Sequence, residues 1–156
     1  MSEVHGLKQR VLAARERFQA LPVSDSAEPG PPDPKTGERW DRYNVLGHMA
    51  EALPFWAVQL DRALGGETVG RPPGSAGRLE GIESGRLLGE QVLRDRIAAG
   101  IEDMLRLLEK LQPQDLDRPV DHVSRGKIPL REALEIYLIG HLEEHVGQLE
   151  GVTPRG

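Results

Sequence analysis

The chain has 156 residues, 38% hydrophobic and 29% charged, which suits one globular domain with a continuous core and is too apolar for a disordered segment. Its net charge of −5 argues against a general affinity for nucleic acid and against docking on an anionic membrane, so neither is expected as a partner. Without cysteine there are no disulfides, no thiolate ligands and no protein-borne thiol nucleophile, which fits a reducing cytoplasm.

The N-terminal MSEVHGLKQRVLAARERF is charged throughout and reads as neither signal peptide nor membrane span. Val4, Leu7, Val11, Ala14, Phe18 and Leu21 recur at alternating intervals of three and four, opposite Lys8, Arg10, Glu16 and Arg17. That spacing predicts an amphipathic helix over 3–21, ended by Pro22. The following PVSDSAEPGPPDPKTGE holds five prolines and two glycines. So long a connection is expected to cross the molecule or border a site.

A second helix is predicted over 41–64, with a kink or break at Pro54, which has no N–H for the carbonyl of Ala50. GGETVGRPPGSAG forms the next connection. A third helix is predicted over 84–111 from Leu93, Ile97, Ile101, Leu105 and Leu108, stopped by Pro113. A third connection contains VSRGKIPL, where a short extended piece or turn fits. The last helix is predicted over 129–150, opened by Pro129 and capped near Gly151. Four amphipathic helices joined by polar loops read as one all-α domain spanning 1–156, an antiparallel four-helix bundle.

LIGHLEEH puts His141 and His145 four apart, about 40° on a helical wheel, on the stripe of Leu130, Leu134, Tyr137, Leu138, Gln148 and Leu149. Leu142 follows His141 where a zinc-protease helix needs Glu, so that class is rejected. On the second helix, His48 sits at the margin of an apolar arc of Leu46, Met49, Leu53 and Leu60. If the two helices are neighbours, the three imidazoles can converge on one divalent ion with a coordination position left open. Spacing alone equally allows core histidines satisfied by Tyr, Glu or backbone carbonyls. His5 and His122 are read as solvent-exposed and unrelated. Ile136, Ile139 and Val146 fall opposite the histidines, an apolar strip a monomer would expose, so a twofold homodimer is expected.

GERWDRYNVLGHMAEALPFW and GKIPLREALEIYLIGHLEEHVGQLEG resemble the second and last helices of the DinB-like superfamily, in that order and at matching separation. The resemblance implies an up-down-down-up bundle, often dimeric, with His48, His141 and His145 as ligands of zinc or nickel. Better-understood members include S-transferases and isomerases that use a low-molecular-weight thiol cosubstrate such as bacillithiol, mycothiol or glutathione. The expected activity is therefore a metal-dependent S-transferase or small-molecule hydrolase, in which the ion lowers the pKa of water or an external thiol. Tyr137, Glu144 and Gln148 share the histidine face as candidate contacts to ligand or substrate, with ordinary packing as the alternative; Arg125 and Lys127, in the loop before the last helix, could attract an anionic substrate or simply be solvated. The alternative is a non-catalytic bundle that binds a partner and keeps a vestigial or structural metal site.

Overall fold

The computed structural model describes residues 2–24, 28–34, 36–71 and 76–153. Helix α1 (Glu3–Gln19) is capped by Ser2, whose side chain accepts from the His5 amide at 3.2 Å. It buries Val4, Val11, Ala14 and Phe18 from the predicted stripe and ends two residues early. Helix α2 (Arg42–Leu64) opens on a reciprocal cap: Asp41 accepts from the Asn44 amide at 2.9 Å, and Asn44 accepts from the Asp41 amide at 3.1 Å. Behind the cap, Arg42 is buried and reaches Glu90 and Thr153, tying three parts of the chain together. Of the kink or break expected at Pro54, the break is absent: α2 runs through the proline. Leu46, Met49, Leu53, Trp56 and Leu60 are buried on both sides of the proline, and that burial outweighs its local cost of about 3 kcal/mol.

The predicted third helix is two helices, α3 (Gly77–Leu88) and α4 (Glu90–Lys110). Between them Gly89 takes φ +82, a conformation strained for any other residue, and no helix passes through it. Strands β1 (Pro119–His122) and β2 (Gly126–Pro129) form a short antiparallel hairpin in the third connection. Val69 joins its edge, donating to Asp121 at 2.8 Å and accepting from Val123 at 2.9 Å.

The last helix is continuous but not uniform. Helix α5 (Leu130–Leu134) passes into a π turn (Glu135–Ile139) and then into α6 (Gly140–Val152), with Thr153 rather than Gly151 as its cap. A Cβ on Gly140 would lie 2.3 Å from the Glu135 carbonyl oxygen, so the widened turn requires glycine there.

The fold is mostly helical, as expected, with α1 and α2 each packed against both α4 and α6, and α3 added on the flank of α2. Since α6 has neighbours on two sides, Ile139 and Val146 are buried in the core, and Ile136 is half-buried. The exposed strip on which a homodimer was expected does not exist. No helix among the described residues is long and apolar enough to cross a membrane.

Candidate metal centre

Helix α2 delivers His48 two turns after its cap, and α6 delivers His141 and His145 one turn apart directly after the π turn. Because α2 and α6 are neighbours, the three rings meet. The His48 and His141 Nε2 atoms lie 3.0 Å apart, and each histidine offers a nitrogen within 4.8 Å of the others. Ring centroids are separated by 4.9 Å (His48 to His141), 4.7 Å (His48 to His145) and 4.2 Å (His141 to His145). Two nitrogens bound to one tetrahedral ion at ~2.1 Å stand about 3.4 Å apart, so the spacing is of the right order.

Burial holds all three imidazoles below their ordinary pKa. His48 is pushed down to about 2 by burial and by repulsion from His145 and His141, with Arg78 and Arg71 adding to it. His141 is pushed down to about 3 by burial, then by His145, while the Tyr137 backbone carbonyl opposes the shift. For His145 burial again dominates, opposed by Gln148 and Glu144. The rings are therefore neutral near pH 7, the state in which imidazole binds metal.

Outer contacts fix where the protons sit. His145 Nδ1 is bonded to Gln148 Oε1, which leaves its Nε2 free. His141 Nδ1 and His48 Nδ1 are buried with no hydrogen-bond partner among the described residues. Two neutral rings meeting through Nε2 need a shared proton or a shared cation between them. Three neutral imidazoles form a donor set for a divalent ion, and the residues present fit one.

The cluster opens into a cleft of about 820 Å³. The Pro/Gly-rich connection borders it through Gly30, Asp33, Thr36 and Glu38, in keeping with the expectation for so long a loop. Trp40 closes one end, with its ring 5.2 Å from His48 and stacked 5.9 Å from His145. Its Nε1 donates to Glu38 at 3.1 Å. The opposite wall is Trp56 stacked on Tyr137 at 4.1 Å. Of the other residues singled out on the histidine face, Gln148 touches His145, Tyr137 supplies a wall, and Glu144 sits exposed on the lining.

His5 is exposed, as expected, but His122 is not. It is 7% exposed, lies parallel to Tyr137 at 5.0 Å and accepts at Nδ1 from the Ser124 and Arg125 amides. The correction follows from the hairpin, which turns His122 inward between Val69 and the aromatic wall. Trp56, Arg71 and Arg78 also line the cleft without having been read as functional. Arg71 and Arg78 carry a signal as cations in and beside the second long connection, whereas Trp56, inside α2, reads as an ordinary member of its apolar stripe.

In fold the chain is similar to the colibactin self-resistance protein ClbS in complex with a double-stranded DNA, with a TM-score of 0.68 at 12% identity over 96% of this chain and 95% of that one. That protein's crystallisation with DNA overturns the exclusion of nucleic acid as a partner. The exclusion rested on net charge, which averages the whole surface and says nothing of cations gathered locally, as Arg71, Arg78 and Arg125 are around the cleft. No curated protein sequence matches the chain. The profile of the DinB superfamily matches residues 7–149, nearly the whole length, and the chain belongs to that superfamily.

Proposed function

We propose that the protein is a metal-dependent enzyme acting on a small molecule in the cleft, as an S-transferase using a low-molecular-weight thiol or as a hydrolase. The observation that carries this reading is the convergence of three neutral imidazoles, His48, His141 and His145, on the floor of a cleft of about 820 Å³. Those three side chains would hold the ion, zinc or nickel by donor type. When bound, it supplies Lewis acidity toward a water, a thiol or a substrate oxygen.

The chain's own groups prepare the rest. Gln148 fixes His145 in the tautomer with Nε2 free, and Trp40 and Trp56 give the cleft apolar walls that exclude water. Glu144 is a carboxylate on the lining that raises the basicity of His145. Because the chain has no cysteine, a thiol nucleophile has to arrive as a cosubstrate.

The test is metal analysis of protein purified without a histidine tag, beside His48→Ala and His141→Ala. Stoichiometric zinc or nickel is expected in the parent and loss in both variants; full retention in both would defeat the reading. Metal-loaded protein is then assayed against a panel of thiols and electrophiles, where Ala variants are expected to be inactive.

A second reading is contact with nucleic acid, favoured by the DNA complex of the neighbouring fold and by the cleft arginines. It predicts salt-dependent binding of a DNA duplex that weakens in Arg125→Gln.

A further inference from the structure

Three arginines line the cleft, and each lies over an aromatic ring: Arg71 over Phe55 at 4.2 Å, Arg78 over Trp40 at 5.6 Å, and Arg125 over Tyr137 at 5.6 Å. Two of them are already neutralised. Arg71 is held by both carboxylate oxygens of Glu51, at 2.7 and 2.5 Å, and Arg78 is 3.7 Å from Glu38. No ion pair joins Arg125 to a carboxylate among the described residues, although Glu144 lines the same cleft.

The turn that carries Arg125 is built rather than loose. His122 Nδ1 accepts from the Arg125 amide at 3.2 Å and from the Ser124 amide at 3.1 Å. His122 is itself buried, parallel to Tyr137, and backed by Gly70, where a Cβ would come within 2.9 Å of its ring. The segment is clipped to Val69 by hydrogen bonds on both sides of that residue. A fixed turn therefore presents an uncompensated guanidinium at one end of an aromatic wall. One helical turn beyond Tyr137 on that wall is His141.

We propose that Arg125 is the anion-recognition residue of the cleft, pairing with a carboxylate or phosphate of a small molecule whose planar body lies along Tyr137 and Trp56. This rests on reading the cleft as a small-molecule site. The guanidinium's planar fork suits both anions, and its place over the Tyr137 ring, 5.6 Å from the centroid, sets it at the end of the aromatic wall. Arg71 and Arg78 are unsuited to the task because a ligand would first have to displace Glu51 or Glu38. The reacting end of such a ligand faces the histidines, and its charged end faces the hairpin.

Both tryptophans of the chain line the cleft, so intrinsic fluorescence reports its occupancy. Titration with benzoate is expected to give a saturable change, tighter than with the uncharged isostere benzamide. Arg125→Gln is expected to weaken benzoate by about tenfold. Arg125→Lys, which keeps the charge, retains part of the affinity, and Arg78→Gln leaves it unchanged. Inorganic phosphate and a short DNA duplex are run as parallel arms to separate carboxylate, phosphate and nucleic acid as the source of the anion.

Equal binding of benzoate and benzamide, or an unchanged Arg125→Gln, would overturn the proposal. So would an Arg125-dependent signal from the duplex with none from benzoate or phosphate. Each titration is repeated after chelation. Arg125-dependent binding in a protein that holds no metal as purified and takes up no added zinc or nickel defeats the metalloenzyme reading alone; full metal content without Arg125 dependence defeats this proposal alone.

Discussion

Gly47 and His48 are consecutive residues of α2, yet they meet opposite kinds of neighbour. Toward α3 the backbones touch at two points: a Cβ on Gly47 would lie 2.2 Å from the Gly81 carbonyl oxygen, and one on Gly85 would lie 2.2 Å from that of Tyr43. Toward α6 the same helix borders an open cleft lined by polar and aromatic side chains. Backbone against backbone on one flank removes play from α2, and the other flank is left free for groups that would be costly in a core. The rigid seam is thus part of what holds His48 in register with α6.

Acid is expected to separate the two flanks most strongly, because only the cleft flank carries buried imidazoles. In the metal-free chain, burial keeps His48 near 2, His141 near 3, and His145 and His122 below their usual value. The unfolded chain therefore takes up protons first as pH falls below ~6.5. Stability is full above that pH and declines through pH 5 toward the folded values. Denaturant unfolding at successive pH values checks this, and His48→Leu is expected to flatten the slope between pH 6.5 and 5. An unchanged slope would mean the rings are not buried as described.

Next in size is metal linkage. Zinc at a thousandfold excess over its Kd is expected to stabilise the parent by about 4 kcal/mol and His145→Ala by nothing measurable, read as a shift in Tm. The seam is broken by Gly47→Ala or Gly85→Ala, each expected to destabilise by about 1–3 kcal/mol whether or not zinc is present. If either substitution left unfolding unchanged, the close contact would not be holding α2. The smallest effect belongs to Gln148→Leu. It should weaken zinc by about tenfold, measured by competition with a chromogenic chelator, and leave the metal-free stability nearly untouched.

The cleft flank was the more legible of the two. His48, His141 and His145 stand out because imidazoles on apolar helical stripes need partners, and the bordering loop announced itself through its prolines. The seam was hidden by its composition: glycines in RLEGIESGRLLGE carry no periodic apolar signal, so α3 merged into α4, although Gly89 was available as a breaker. His122 was misread because a four-residue strand offers too short a pattern to show which way its side chains face. Ile139 and Val146 were misplaced for a different reason. A wheel shows one face opposite another but not that α1 covers the second, and its constant 100° step fails across the π turn.

That turn has a consequence for anyone searching other chains for the same site. Glu135–Ile139 holds the helix one residue wide of regular α geometry immediately before His141, and Gly140 makes the width possible. Closing these residues into regular α geometry without losing one would rotate everything downstream by about 100° relative to α5, whereas deleting one residue as the turn closes would restore the phase. In the first case His-x-x-x-His would survive letter for letter, with both rings swung away from His48. Two sequences could then share the full motif while only one assembles the cluster, and the phase of the helix would be what tells them apart.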